Sequence, residues 1–203
     1  MSTPTSLDYG GYYHIFNRGV NRQNLFVEER NYSYFLKLYA YHIETVADTY
    51  AYCLLPNHFH LLVRIKTPEE AREQTRPAPR SYRVSPPSQA FSNLFNAYTK
   101  AVNTAYQRTG SLFERPFHRI QVTSDRYFTQ LVVYIHQNPQ RHGLVNDFRL
   151  WPYSSYPALL STAPTHLRRA DVLAWFGGSD QALDAHYHPD KVQPIKPLLL
   201  DDW

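Results

Sequence analysis

The sequence has a single cysteine, Cys53, in 203 residues, so an internal disulfide and a cysteine-built zinc site are both excluded and a reducing compartment suits the chain. No apolar run approaches the roughly 18 to 20 residues needed to span a bilayer. Met1 to Gly11 holds neither a basic segment nor an apolar signal core, so an unexported, cytoplasmic protein with no membrane partner is expected. Internal repeats and heptad runs are also missing. Charged residues are only 19% against 43% hydrophobic and 15% aromatic, which excludes an acidic disordered chain and supplies one real core. The length fits one domain with an extension.

Lysine is scarce too. The net charge of +4 rests on 16 arginines and 5 lysines against 17 acidic residues. Guanidinium grips phosphate as a planar fork and stacks on bases, so this balance leans toward a nucleic-acid partner.

Composition changes twice. Residues 67–88 mix Pro68, Pro77, Pro79, Pro86 and Pro87 with Arg72, Arg76, Arg80 and Arg83. That density of proline predicts a long exposed loop without helix, read as an inert surface insertion in preference to a DNA-contacting arm. After Trp151 to Tyr156, the breakers Pro157, Pro164, Gly177 and Gly178 leave short pieces. The expected division is a domain over 1–156, interrupted at 67–88, and a C-terminal extension over 157–203. Within the extension, Val172 to Phe176 reads as a helix packed on the core.

Periodicity gives the elements. A strand is predicted over Gly11 to Asn17, a helix from about Glu28 to Val46, and a hairpin of Thr49 to Leu55 and Phe59 to Ile65 across Leu55-Pro56-Asn57. Phe91, Leu94, Phe95, Tyr98, Val102, Ala105 and Tyr106 mark a second helix, and Phe117 to Val122 a fourth strand. Ser124 caps a third helix with apolar face Phe128, Leu131, Val132 and Ile135, ended by Asn138-Pro139. The order predicts an α+β, ferredoxin-like βαββαβ antiparallel sheet with an added helix; helices cover one face, and the other is left for a ligand or another layer.

Two segments carry chemistry. In His58-Phe59-His60 the strand period of two sends both imidazoles to one face and Phe59 to the core. Such a pair can bind a divalent ion, although hydrogen-bonded strand histidines would give the same spacing. In Tyr134-Ile135-His136-Gln137-Asn138-Pro139, Tyr134 and Asn138 are four apart and share a helix face. A phenol with a pKa of roughly 10 needs positive charge or a metal-bound substrate to attack phosphorus. Among Arg18, Arg22, Arg115, Arg119 and Arg141, the candidate DNA contacts are Arg18 and Arg22, exposed by the Asn17-Arg18-Gly19 turn at a strand end, together with Arg119.

From Tyr12 to Tyr156 the chain resembles the single-tyrosine HUH transposases (the transposase IS200-like family), and among them the REP-associated tyrosine transposases. The resemblance rests on Tyr13 to Gly19 followed by Arg22 and Leu25-Phe26, on Leu55 to Val63, on Gly110 to Phe113, on Tyr134 to Pro139 with Gly143 to Val145, and on Trp151 to Tyr156. It implies that His58 and His60 are metal ligands for Mg²⁺ or Mn²⁺ and that Tyr134 is the nucleophile. It also implies Asn138 as third ligand, with Gln137 and His136 as rivals. The implied activity is an endonuclease and strand transferase on hairpin-flanked single-stranded DNA, through a 5′-phosphotyrosine. Completion of the site within one chain or across a homodimer stays open. The alternatives are a nucleic-acid-binding module without catalysis, a host-adopted hairpin-DNA binder, and a metallohydrolase of small molecules.

Overall fold

Alternation along four strands sorts the side chains into two layers. The computed structural model describes residues 5–74 and 85–188. In chain order come β1 (Tyr12–Arg18), α1 (Glu29–Ile43), β2 (Ala47–Leu55), β3 (His58–Ile65), α2 (Pro68–Gln74), α3 (Pro87–Ala105), β4 (His118–Val122) and α4 (Asp125–Arg141). Three short helices follow: α5 (Tyr156–Leu160), α6 (Arg169–Phe176) and α7 (Ser179–Tyr187). The strands form one sheet in the order β2-β3-β1-β4, each neighbouring pair antiparallel. This is the expected ferredoxin-like plan.

One sheet face carries Tyr13 and Ile15 of β1 with Phe59, Leu61, Val63 and Ile65 of β3, and α1 and α3 close it with Phe35, Tyr39, Phe91, Leu94 and Tyr98. The opposite face presents Leu55 and Leu62, covered by Phe128, Leu131, Val132 and Ile135 of α4. The second layer anticipated for that face is therefore a helix. In β2 the register slips between Thr49 and Ala51. Tyr50 and Ala51 both join the α4 layer, with the Tyr50 ring 5.4 Å from that of Phe128. A bulge of this kind adds one residue and re-aims its neighbours.

α4 starts where its chemistry allows. The Ser124 hydroxyl accepts the Tyr127 N–H at 3.2 Å, and Asp125 sits in the first turn; such a cap contributes about 1 kcal/mol. Its end differs from expectation. The helix runs through Pro139 to Arg141, because the whole stretch from Leu131 to Pro139 is buried and tertiary packing outweighs the lost N–H. His142 N–H to Asn138 O at 3.0 Å and Leu144 N–H to Pro139 O at 2.9 Å close it. Asn138 is thus held inside a helix and not at a frayed end.

The proline-rich segment also departs from the loop expected. Pro68 opens α2 and Pro87 opens α3, positions where a missing N–H costs nothing because first-turn donors have no helical partner. Arg76, Arg80, Arg83, Pro77 and Pro79 lie outside the described residues. α6 packs as expected, with Val172 fully buried and Trp175 3.6 Å, centroid to centroid, from Phe128. No described helix is long and apolar enough to cross a membrane.

Candidate active site

β3 supplies the histidine pair. His58 and His60 face α4 while Phe59 between them is wholly buried in the other layer. In the β1 register His60 lies opposite Phe16 and His58 opposite Arg18, which places His14 diagonally behind His60. Their nitrogens meet, His14 Nε2 to His60 Nδ1, at 3.0 Å. One ring donates to the other. His60 Nε2 is buried and has no hydrogen-bond partner, an unusual state for a polar atom in a core. Burial holds the His60 pKa well below the usual imidazole value, and the neighbouring His14, His58 and His142 push the same way. The neutral ring keeps a lone pair available, which is the form a metal requires.

His58 is oriented from two sides. Its Nδ1 lies 2.7 Å from Asn57 Oδ1 and its Nε2 lies 3.2 Å from Asn138 Oδ1. With the Nδ1 proton donated to Asn57, Nε2 turns its lone pair toward another acceptor, an arrangement relieved by a second ring proton or by a cation shared between them. Asn138 Nδ2 is buried and unbonded.

Tyr134 lies one helical turn before Asn138 on the same face. Its ring stands edge-on to His60 with centroids 5.5 Å apart and to His14 at 6.3 Å, and the Arg141 guanidinium lies 5.5 Å from its centroid. The structure therefore brings His58, His60, Tyr134 and Asn138 together within one chain. The rivals for third ligand point elsewhere. His136 Nδ1 meets His186 Nε2 and His136 Nε2 meets Ser155 Oγ, both at 2.8 Å, and Gln137 donates to His186 O at 2.9 Å.

The arginines are dispersed. Arg18 sits at the end of β1 beside His58 and pairs with Glu114 at 2.7 Å. Arg22 is exposed in a tight turn, with Asn21 and Arg22 at φ of 55° and 58°. Arg119 is on the far side of the sheet, over the Phe117 ring at 4.1 Å and bonded to Ser88 Oγ at 2.9 Å. His14, Asn57 and His142, whose ring is 4.9 Å from that of His58, have no predicted role. A period-two reading of β1 carried across to β3 would have found His14.

Among the described residues no group of three or more His, Cys, Asp and Glu is arranged to hold a metal. The set that fits a divalent ion includes an amide: His60 Nε2 without a partner, His58 Nε2, and Asn138 Oδ1 beside it. Two imidazoles and an oxygen suit Mn²⁺ at least as well as Mg²⁺.

No family model matches the chain. A Haemophilus influenzae protein provisionally named a REP-associated tyrosine transposase is 28% identical over 111 residues, covering 54% of this chain and 58% of that relative's length. A REP-associated tyrosine transposase solved bound to a REP hairpin shares the fold at a TM-score of 0.59 and 15% identity, over 81% of this chain and 88% of that one. In sequence and in fold, then, the chain is similar to the REP-associated tyrosine transposases that its motifs resemble.

Proposed function

We propose that the protein is a metal-dependent single-stranded DNA endonuclease and strand transferase that cuts hairpin-flanked DNA through a 5′-phosphotyrosine on Tyr134. The observation that carries this reading is the meeting of Tyr134 with His60, ring centroids 5.5 Å apart, from elements 74 residues distant in sequence. The hairpin-bound structure that shares the fold supports a hairpin substrate.

His58, His60 and Asn138 would hold the divalent ion. When bound, it supplies a positive charge that binds a phosphate oxygen and offsets charge developing on phosphorus. The residues around it do the positioning. His14 fixes the orientation of His60, Asn57 that of His58, and α4 delivers Tyr134 and Asn138 on one face. The Tyr134 oxygen forms the new P–O bond as the bond from phosphorus to the 3′ oxygen breaks; the phenol gives up its proton and the departing oxygen gains one. The phosphotyrosyl bond keeps the energy of the diester, so a 3′-hydroxyl can attack it in reverse and rejoin strands without ATP.

A second reading, a hairpin-DNA binder without chemistry, draws on the burial of Tyr134, 4% exposed. Incubation with labelled single-stranded hairpin DNA from the source genome and Mn²⁺ separates the two. The transferase forms an SDS-stable protein–DNA species that Tyr134→Phe abolishes while still binding. Binding with neither adduct nor nick supports the binder.

A further inference from the structure

A groove follows α3 on the sheet face away from the histidines, its polar side chains set beside the rings of Phe95, Phe113 and Phe117. It joins a cleft of about 550 Å³ to a hollow of about 430 Å³, and both share Asn96 and Thr99. From Ser92 to Asn103 it runs along roughly 17 Å of helix at 1.5 Å per residue, enough for about five phosphates at a strand rise near 3.4 Å. Its cations are Lys100, Arg108 and Arg115, joined by Arg119 at the cleft wall.

Charge distinguishes this face from ordinary solvated surface. Across 19 residues α3 has one charged side chain, Lys100, and no acid, where a merely soluble helix face mixes both signs. Arg108 is held by neutral oxygens, Asn103 Oδ1 and Gln23 Oε1, each at 2.7 Å, so its charge is not cancelled. Arg115 donates to Asn96 Oδ1 at 3.4 Å, a neutral oxygen again. Among the described residues lining the two hollows the single carboxylate, Glu114, is already paired with Arg18. Amides, hydroxyls and cations that pair with no acid among the described residues match a polyanion.

The groove approaches the candidate active site through one ion pair. Arg18 is opposite His58 in the β1–β3 register, and its partner Glu114 lines the cleft. A strand leaving His58 over the end of β1 arrives there.

Resting on the nucleic-acid reading above, we propose that this groove is a second DNA contact, holding the phosphate backbone that flanks the scissile site. The test uses the full chain with two substrates: a hairpin with a long single-stranded flank and an oligonucleotide limited to the cleavage site. Lys100→Gln, Arg108→Gln and Arg115→Gln are measured singly and together, with thermal unfolding as the folding control; Lys100→Glu, on an exposed position, replaces any variant that does not fold. Each neutralisation lowers the slope of log affinity against log salt on the flanked substrate by about 0.7 to 0.9, and the triple variant binds it at least tenfold more weakly in low salt. Adduct yield on the short oligonucleotide is unchanged. Undiminished slope and affinity in the folded triple variant overturn the groove, whatever the chemistry. A reduced slope in a protein that forms no adduct upholds the groove and overturns the transferase reading.

Discussion

His14 decides which nitrogen of His60 is free. Its Nε2 takes up His60 Nδ1 at 3.0 Å, leaving Nε2 of His60 buried and unbonded. A partner of this kind sets tautomer and ring angle, and its loss typically weakens metal binding 10- to 100-fold. His14→Phe, which keeps an aromatic ring beside Phe16, is expected to weaken Mn²⁺ binding by that factor in calorimetry, with the unfolding midpoint kept within a few degrees. Unchanged affinity would show that His60 needs no such partner. The sequence showed His58 and His60 because one strand's alternation suffices to group them. His14 needed the register between strands 46 residues apart, and register is a property of the folded sheet. The arginines were the least legible, since side-chain reach is settled by neighbours such as Glu114 and Ser88.

At the scale of elements, α7 grips α4 in the stretch between Tyr134 and Asn138. His186 Nδ1–H donates to Ala182 O, His136 Nδ1–H donates to His186 Nε2, and the Ser155 hydroxyl donates to His136 Nε2 while accepting the Tyr52 N–H. The Ser155 hydroxyl also has Tyr52 O within 3.2 Å as a second acceptor, and in this arrangement both rings are neutral. Burial lowers the His186 pKa from 6.5 to about 4, and burial first, then His186, lowers that of His136. The titratable side chains packed against His186 are His136 and Tyr156. A depressed folded pKa means the unfolded chain takes up the proton first as pH falls, so stability is full above about 6.5 and declines toward 4. His186 alone is expected to cost about 2 kcal/mol at pH 5 relative to pH 7.5. Urea unfolding at the two pH values checks this, and His186→Gln should lessen the decline. An equal decline in the variant would remove His186 as its source. Strands and long helices were legible because their apolar periods are strong. The continuation of α4 past Pro139 was not, because tertiary burial overrides a local breaker. Nor was α2, because a first-turn proline and a loop proline look alike in sequence.

For the whole molecule, the sheet separates two jobs. One face collects imidazoles, phenol and amide beside the apolar layer under α4, and the other packs against α1 and α3 and carries the acid-free side of α3. Both meet at the end of β1, where Arg18 stands between His58 and Glu114. The donor set predicts that EDTA abolishes DNA cleavage and that Mn²⁺ restores at least as much of it as Mg²⁺, read as nicked product on a denaturing gel. Restoration by Mg²⁺ alone would contradict a His-rich site. The layering was readable in advance, but the meeting of the two faces depended on a loop, Ser111 to Phe117, with no periodic signal.

The most direct measurement is to digest the protein–DNA adduct with nuclease and trypsin and locate the nucleotide by fragment mass. The peptide from Tyr127 to Arg141 contains two tyrosines, so Tyr127 is an internal control. The account predicts a 5′-nucleotide on Tyr134 alone, lost when the metal is removed or His60 is replaced by alanine. A nucleotide on Tyr127 or any other tyrosine, or an adduct that forms equally well without metal, would contradict it.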